Sequence, residues 1–208
     1  MQHQNVSQYV IVGGGTAGWM TAALLSKVLP QSSVSITLVE SPDQPSIGVG
    51  EATAPSFVDF VRLLGINEQE FIASTGATFK LGIRFSDWQY KGHSYWHPFG
   101  NVGARIDGQS FFQQWLNARQ GGLQNDYTDF SPSARMAEKQ RFFVPDPAKP
   151  NNLSRMGYAY HFDAQRVADF LCEYATSRGV THKREHVKTV RVDSTLGTIT
   201  GLTTTDGN

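Results

Sequence analysis

The stretch that decides the fold lies near the amino terminus and reads Tyr9-Val10-Ile11-Val12-Gly13-Gly14-Gly15-Thr16-Ala17-Gly18. Four apolar or β-branched residues lead into a Gly-x-Gly-x-x-Gly pattern, and a helical pattern follows at once. Such a strand, glycine turn and helix hold a pyrophosphate, because glycines let the backbone approach it and the helix N-terminus is positive. The stretch therefore predicts a dinucleotide-binding βαβ unit within an α/β fold.

A second strand pattern, at residues 34–40, ends at Glu40, which lies 22 residues beyond Gly18. A carboxylate at this place can accept hydrogen bonds from a ribose 2′-hydroxyl. A glycine-rich turn in an ordinary βαβ unit is the alternative, but strand, helix and acid together favour a nucleotide. The cofactor-binding residues predicted in this unit are Gly13, Gly14, Gly15, Thr16, Ala17, Gly18, Glu40 and Ser41.

Composition narrows the class of protein. Lys plus Arg and Asp plus Glu both number 18, so no basic field is present to attract nucleic acid. The single cysteine, Cys172, excludes an intramolecular disulfide and a cysteine-rich metal site. No apolar stretch approaches the roughly 18 residues that a membrane span requires, and the first eight residues lack a signal-peptide core. These features predict a cytoplasmic protein that binds neither nucleic acid nor membrane.

Local patterns predict alternating helices and strands along the chain. Helical patterns cover residues 17–29, 55–64, 67–72, 110–119, 132–140 and 163–177, and strand patterns cover 8–12, 34–40, 77–85, 180–183, 187–192 and 198–205. Asn67 and Asp163 are the expected caps of two of these helices, and the last two strands are expected to form a hairpin around Gly197. In the strand at 77–85, alternation places Lys80 on a polar face with Thr78, Gly82 and Arg84. Whether Lys80 is buried stays open at this level, and a solvent-exposed lysine is the simpler alternative.

The loop between residues 41 and 53 contains Ile47-Gly48-Val49-Gly50-Glu51-Ala52-Thr53. Its two glycines give it flexibility, and its other residues could line the edge of a flat ring. A plain surface loop is equally compatible with this composition. The residues predicted to contact a cofactor here are Ile47, Val49, Gly50, Glu51 and Ala52.

Three stretches together resemble the flavin-dependent tryptophan halogenases: the glycine turn with Trp19 after it, the segment 47–53, and Phe79-Lys80, which is 29 residues past Glu51. Residues 158–164 and 167–171 also resemble the point at which that family returns to its FAD fold. The resemblance implies a Rossmann-like FAD-binding fold of the flavin monooxygenase type. Residues 1–54 and 155–208 would bind FAD, with Val187 beside the adenosine half, and 55–154 would be an inserted substrate-side segment.

The resemblance also implies a reaction. Reduced FAD from a separate flavin reductase would react with O2 and a halide, chloride or bromide, through a flavin hydroperoxide to hypohalous acid. Lys80 would be the catalytic lysine that guides this acid to a small aromatic substrate. His97 and Phe99 resemble the residues that enclose an indole-type ring, although His97 could instead be a packed loop histidine. Free tryptophan, indole and a related aromatic remain open as substrates.

The chain departs from the family at its end. The Trp-x-Trp-x-Ile-Pro motif and the glutamate that partners the lysine are absent from the 208 residues, so we expect a truncated, N-terminal portion of the domain. Two alternatives stay open: a single-component aromatic monooxygenase that uses NAD(P)H directly, and a non-catalytic FAD-binding module. The oligomeric state is also open, with a homodimer as one alternative.

Overall fold

The computed structural model describes residues 6–43, 49–146, 148–149 and 156–205. The chain divides into two compact units. The first contains residues up to 51, residues 61–77 and residues from 162 onward, and the second contains residues 52–60 and 78–161. Residues 61–77 thus group with the first unit, although the division predicted from the sequence assigns them to the insertion.

Strands and helices alternate along much of the described chain, which makes it an α/β protein. The strands are β1 (Gln8–Val12), β2 (Ser35–Glu40), β3 (Gly50–Ala52), β4 (Thr78–Lys80), β5 (Gly82–Ser86), β6 (Ser94–Pro98), β7 (Ala159–Asp163), β8 (Thr181–Arg184), β9 (Val187–Val192) and β10 (Ile199–Thr204). The helices are α1 (Thr16–Val28), α2 (Pro55–Leu64), α3 (Glu68–Thr75), α4 (Phe111–Gln120), α5 (Pro132–Glu138) and α6 (Ala164–Ser177), with one 3-10 turn at Tyr127–Phe130.

The first unit is built on a parallel sheet with the strand order β1-β2-β8. Its central strand, β2, is the most buried, with Leu38 fully covered. Helices α1 and α6 pack against each other, and small buried residues such as Ala23 and Ala168 allow their close approach. Strands β9 and β10 form the predicted antiparallel hairpin. Because β1, β2 and β8 are parallel, their carboxyl ends lie at one edge of the sheet, where such folds bind ligands.

Two helices of this unit begin at the capping residues that the sequence predicts. The Asp163 carboxylate accepts hydrogen bonds from the backbone N–H groups of Gln165 and Arg166 at 2.9 and 3.1 Å. The Asn67 side chain accepts in the same way from Gln69 and Glu70. Each cap satisfies two N–H groups that have no partner within the helix, which explains why both helices begin where they do.

The prediction of one continuous strand at residues 77–85 is wrong. The chain breaks at Leu81 because the two halves pair with different partners: β4 pairs with β7, and β5 pairs with β6, both antiparallel. Leu81 is buried at the break, and its carbonyl accepts a hydrogen bond from the Phe99 N–H at 2.8 Å. The predicted faces therefore do not hold across the break: Lys80 is buried, whereas Ile83 is exposed.

Three strands have no counterpart among the sequence predictions: β3, β6 and β7. Strand β7 is the middle strand of a sheet with the order β3-β7-β4. Its residues Ala159 and Tyr160 are completely buried.

Within the part of the chain that the structure describes, none of the helices is both long and apolar enough to traverse a lipid bilayer.

Candidate functional site

The glycine turn after β1 has the conformation that its sequence predicts. Gly13 has a φ of +114°, which side-chain-bearing residues rarely adopt, and its N–H donates to the Val39 carbonyl at the end of β2 at 2.8 Å. A Cβ at Gly18 would overlap the Gly13 carbonyl oxygen. Gly13 is therefore needed for the turn, and Gly18 is needed for the close approach of α1 to that turn.

Helix α1 begins directly above this turn and has features of an anion-binding helix terminus. Gly15 is its N-cap residue, no side chain caps it, and its first turn contains no acidic residue. Among the described residues, no atom would lie within 4 Å of a Cβ at Gly15, so this glycine faces open space there. The Thr16 hydroxyl donates to the Ala164 carbonyl at 3.1 Å and so ties the start of α1 to the start of α6. A phosphate can therefore approach the N-terminus of α1 without displacing a side-chain cap.

A cleft of about 1270 Å³ opens at this edge of the first unit. Six of the predicted cofactor-binding residues line it: Gly13, Gly14, Gly15, Glu40, Ser41 and Val187. Thr16, Ala17 and Gly18 lie in the first turn of α1, next to that lining. The structure thus brings together residues that follow β1, end β2 and begin β9, which the sequence proposes for one ligand.

Two histidines that the sequence analysis does not single out also line this cleft. His182, on β8, places Nε2 at 2.6 Å from Glu40 Oε1. His186 places Nε2 at 2.7 Å from Asp43 Oδ2 and Nδ1 at 3.1 Å from Ser41 Oγ. Their partners lie more than 140 residues earlier in the chain. The sequence signal that could have found them is the expected parallel pairing of the strand after α6 with β2.

Cys172, on α6, lies beside His182, with its Sγ 4.0 Å from His182 Nδ1. Burial raises the pKa of the Cys172 thiol, and the carboxylates of Glu40, Asp169 and Glu173 raise it further. A thiol in such surroundings stays protonated and is a poor nucleophile. Cys172 is therefore a half-buried side chain whose thiol is not activated by its surroundings.

The loop segment predicted to contact a flavin is described only in part. Ile47 lies outside the described residues. Val49 is exposed, and its carbonyl accepts a hydrogen bond from the Ala164 N–H at 3.1 Å. Gly50, Glu51 and Ala52 form β3 and are all exposed. Contact between these residues and a flavin stays a prediction.

Lys80 is buried in the second unit, with 9% of its surface exposed. Its Nζ donates a hydrogen bond to the Thr53 carbonyl at 2.8 Å and lies 5.3 Å from the centre of the Phe99 ring. Burial lowers the pKa of His161, and the positive charge of Lys80 lowers it further. The side chain is thus held in place and is not a solvated lysine on a polar strand face.

The residue that holds Lys80 is itself fixed by β7. The Thr53 N–H and hydroxyl both donate to the Tyr160 carbonyl at 3.0 Å. The Tyr160 N–H lies 3.0 Å from the Thr53 hydroxyl oxygen. Two backbone groups of a completely buried tyrosine therefore set the position of Thr53, and through it that of the Lys80 amino group.

The structure places the two predicted substrate residues differently. The Phe99 ring faces Lys80, whereas His97 lines an open cleft of about 960 Å³ within the second unit. Several aromatic side chains line this cleft, among them Phe85 and Tyr95, whose rings stack with centroids 5.0 Å apart. Such walls suit a flat ring. The role of His97 and Phe99 as a pair around a substrate stays a prediction.

Among the described residues, no group of three or more histidines, cysteines and carboxylates could hold a metal ion.

Comparisons with known proteins agree with this geometry. The family model described as tryptophan halogenase matches residues 8–208. The chain is 36% identical to tryptophan 6-halogenase SttH of Streptomyces toxytricini over 211 aligned positions, which cover 93% of this chain and 40% of that protein. It thus spans about 40% of the length of the curated relatives that it matches.

Two solved structures are similar over almost the whole chain. A flavin-dependent halogenase from Xanthomonas campestris superposes with a TM-score of 0.89 at 42% identity, covering 99% of this chain and 40% of that one. BrvH, a flavin-dependent halogenase from Brevundimonas sp. BAL3, superposes with a TM-score of 0.88 at 37% identity, covering 98% and 40%. With a family model that matches nearly every residue and a shared fold, this chain belongs to the tryptophan halogenase family.

Proposed function

We propose that this chain is the FAD-binding and lysine-bearing part of an FADH2-dependent halogenase that acts on an indole-type aromatic. Residues 1–54 and 155–208 are assigned to FAD binding, and residues 55–154 to the lysine and the aromatic segment. The buried Lys80, with Nζ held by the Thr53 carbonyl, is the observation that carries the proposal. A solvated surface lysine would have no comparable positioning.

The residues of the first cleft fit FAD. The uncapped N-terminus of α1 and the open space above Gly15 suit the pyrophosphate. Glu40 lines the same cleft, where its carboxylate would accept a hydrogen bond from a ribose hydroxyl. Val187, also in the lining, would lie along the adenosine half of FAD. Ile47, Val49, Gly50, Glu51 and Ala52 would contact the flavin edge. FADH2, supplied by a separate flavin reductase, would reduce O2 in the presence of chloride or bromide and so provide hypohalous acid.

Lys80 would direct the halogen transfer. An ammonium has three N–H donors, and one of them is used by the Thr53 carbonyl, so the others can bond a ligand. Donation to the oxygen of hypohalous acid draws electrons from the oxygen–halogen bond. The halogen then bonds to a ring carbon, the ring proton leaves, and the hydroxyl departs as water. Burial strengthens this polarisation because little water competes for the amino group.

The substrate would be held by aromatic side chains. His97, in the aromatic cleft, and Phe99, beside Lys80, are the proposed substrate contacts. Their flat faces favour an electron-rich ring and restrict which carbon is presented. Free tryptophan, indole and related rings share this chemistry. We place the reaction in the cytoplasm, where a reductase and NADH can renew the reduced flavin.

The test uses the complete product of the reading frame that encodes these residues, with FAD, a flavin reductase, NADH and bromide. Indole and tryptophan are offered together, and the products are analysed by mass spectrometry. We expect a bromine isotope doublet on one of the rings, and no such product when the reductase is omitted.

The alternatives give different results in the same assay. An oxygenated, bromine-free product formed with NAD(P)H alone would identify a single-component monooxygenase. Tight FAD binding without any product would identify a non-catalytic FAD-binding module. Either result would overturn the proposed halogenation and remove the catalytic role of Lys80.

A further inference from the structure

We propose that His182 is a positioning residue that orients the Glu40 carboxylate toward the adenosine ribose of the nucleotide. The inference rests on the FAD binding of the proposed function and adds a specific role for a residue that sequence patterns do not mark. It predicts that discrimination for the ribose 2′-hydroxyl depends on His182, although the hydroxyl itself bonds to Glu40.

The two oxygens of Glu40 have different surroundings. Oε1 lies 2.6 Å from His182 Nε2, and both side chains are about one quarter exposed. Oε2 lies directly over Gly14, where a Cβ would overlap it. The carboxylate is thus held between β8 and the glycine turn, at the wall of the cleft. This arrangement leaves Oε2 beside the turn to which a pyrophosphate would bind.

His182 is itself held on three sides. Its ring meets the Trp19 ring edge-to-face, with centroids 4.9 Å apart, and Trp19 is only 2% exposed. Strand pairing places His182 next to Leu38, the fully buried residue in the middle of β2. On the other side of the ring, Nδ1 lies 4.0 Å from Cys172 Sγ. The imidazole cannot turn away from Glu40 without losing its contact with Trp19.

This support explains why His182 matters for binding. A free glutamate side chain samples many rotamers, and a ligand that needs one of them must restrict the others when it binds. Here His182 and the glycine turn restrict Glu40 before the ligand arrives. A ribose hydroxyl that donates to a charged, oriented acceptor gains more than one that meets a mobile side chain.

The test measures ribose discrimination by direct binding. FAD affinity is measured first, by flavin fluorescence, and then ADP and 2′-deoxy-ADP are compared as competitors. For the unmodified protein we expect ADP to compete about tenfold better than 2′-deoxy-ADP, because only ADP has the 2′-hydroxyl that donates to Glu40. Glu40→Ala should remove this preference.

Variants of β8 then distinguish the positioning of Glu40 by His182 from a general disruption of the strand. His182→Leu should reduce the preference to less than about twofold, while His182→Gln, which keeps an N–H donor, should retain much of it. Thr181→Val, on the same strand but outside the cleft, should behave like the unmodified protein. Should His182→Leu fail to fold in a melting experiment, His182→Asn replaces it: its amide is too short to reach Glu40, so we expect the same loss.

The possible failures point to different conclusions. Absence of FAD binding in the unmodified protein would overturn the proposed function itself. Normal FAD binding with an unchanged ADP preference in His182→Leu or His182→Asn would overturn only the positioning role. A preference that falls equally in Thr181→Val would also overturn it, because the effect would then belong to β8 as a whole.

Discussion

Lys80 shows how much of the proposed chemistry depends on one side chain. Placing an amino group in the protein interior costs free energy unless polar partners replace water. The Thr53 carbonyl and the Phe99 ring provide such partners, and no carboxylate of the described residues pairs with Nζ. The remaining N–H groups are therefore available to a ligand and are not engaged in an ion pair.

We expect Lys80→Ala to reduce halogenation at least about a hundredfold, because it removes the ammonium that we propose to polarise the halogenating species. Release of hydrogen peroxide from reduced flavin should continue, since that reaction does not need the lysine. Product formation and peroxide are measured in the same sample. Lys91→Ala, which removes an exposed lysine of the same unit, is the control. Halogenation that survives in Lys80→Ala would exclude Lys80 from catalysis.

The pKa of His161 depends on the charge of Lys80. Burial and then the positive charge of Lys80 lower the pKa of His161, so Lys80→Met should raise this pKa toward its ordinary value. At His161 the folded chain binds fewer protons than the unfolded one, so the contribution of this residue to the free energy of unfolding falls as the pH is lowered below the ordinary histidine value of about 6.5. Lys80→Met should weaken that fall.

The direct measurement of this effect is the titration of the His161 ring by NMR, with Lys91→Met as the matched control. Denaturant unfolding at several pH values checks the linked change in stability. A His161 pKa that is the same with and without Lys80 would show that the two groups do not interact in solution.

At the scale of elements, the turn between β1 and α1 contains two glycines with separate roles. A Cβ at Gly18 would overlap the Gly13 carbonyl, so Gly18→Ala should destabilise the fold by about 1–3 kcal/mol, as overpacking does.

Gly15 has an ordinary φ of −73° and, among the described residues, open space around it. Gly15→Ala should therefore cost at most about 1 kcal/mol of stability, because alanine is a poorer N-cap than glycine, but it should weaken FAD binding about tenfold, because its methyl group would occupy the approach to the helix terminus.

Thermal melting without nucleotide and FAD titration together distinguish the two variants. The opposite pattern, with Gly15→Ala unstable and Gly18→Ala normal, would mean that the turn has a different conformation in solution. Equal loss of FAD affinity without loss of stability in both variants would show that Gly18 has no packing role.

At the scale of the whole molecule, the described contacts of the two sites stay within separate units. Glu40 and His182 belong to the first unit, whereas Lys80, Thr53 and Phe99 belong to the second. We therefore expect separable defects. Lys80→Ala should leave the FAD dissociation constant within about twofold, and Gly15→Ala should regain halogenation at saturating FAD. A large change of FAD affinity in Lys80→Ala would show energetic coupling between the sites.

Much of the first unit could be predicted, because the sequence patterns that indicate its strands and helices lie within short, continuous stretches of the chain. The β1 strand, the glycine turn and α1 follow one another within a single stretch, and β2 ends at the predicted acid. The second unit was harder to predict. Alternation at residues 77–85 shows which side chains share a face, but it cannot show that β4 and β5 pair with different strands.

The sequence by itself determined the class of fold, the glycine turn between β1 and α1, and the caps at Asn67 and Asp163. Each of these depends on residues that are neighbours in the chain. Only the tertiary structure decided that Lys80 is buried and that His182 holds Glu40. Both depend on strand pairing between segments about 80 to 140 residues apart, such as β4 with β7 and β2 with β8. Local propensity has no information about such partners, because they are chosen by the packing of the whole chain.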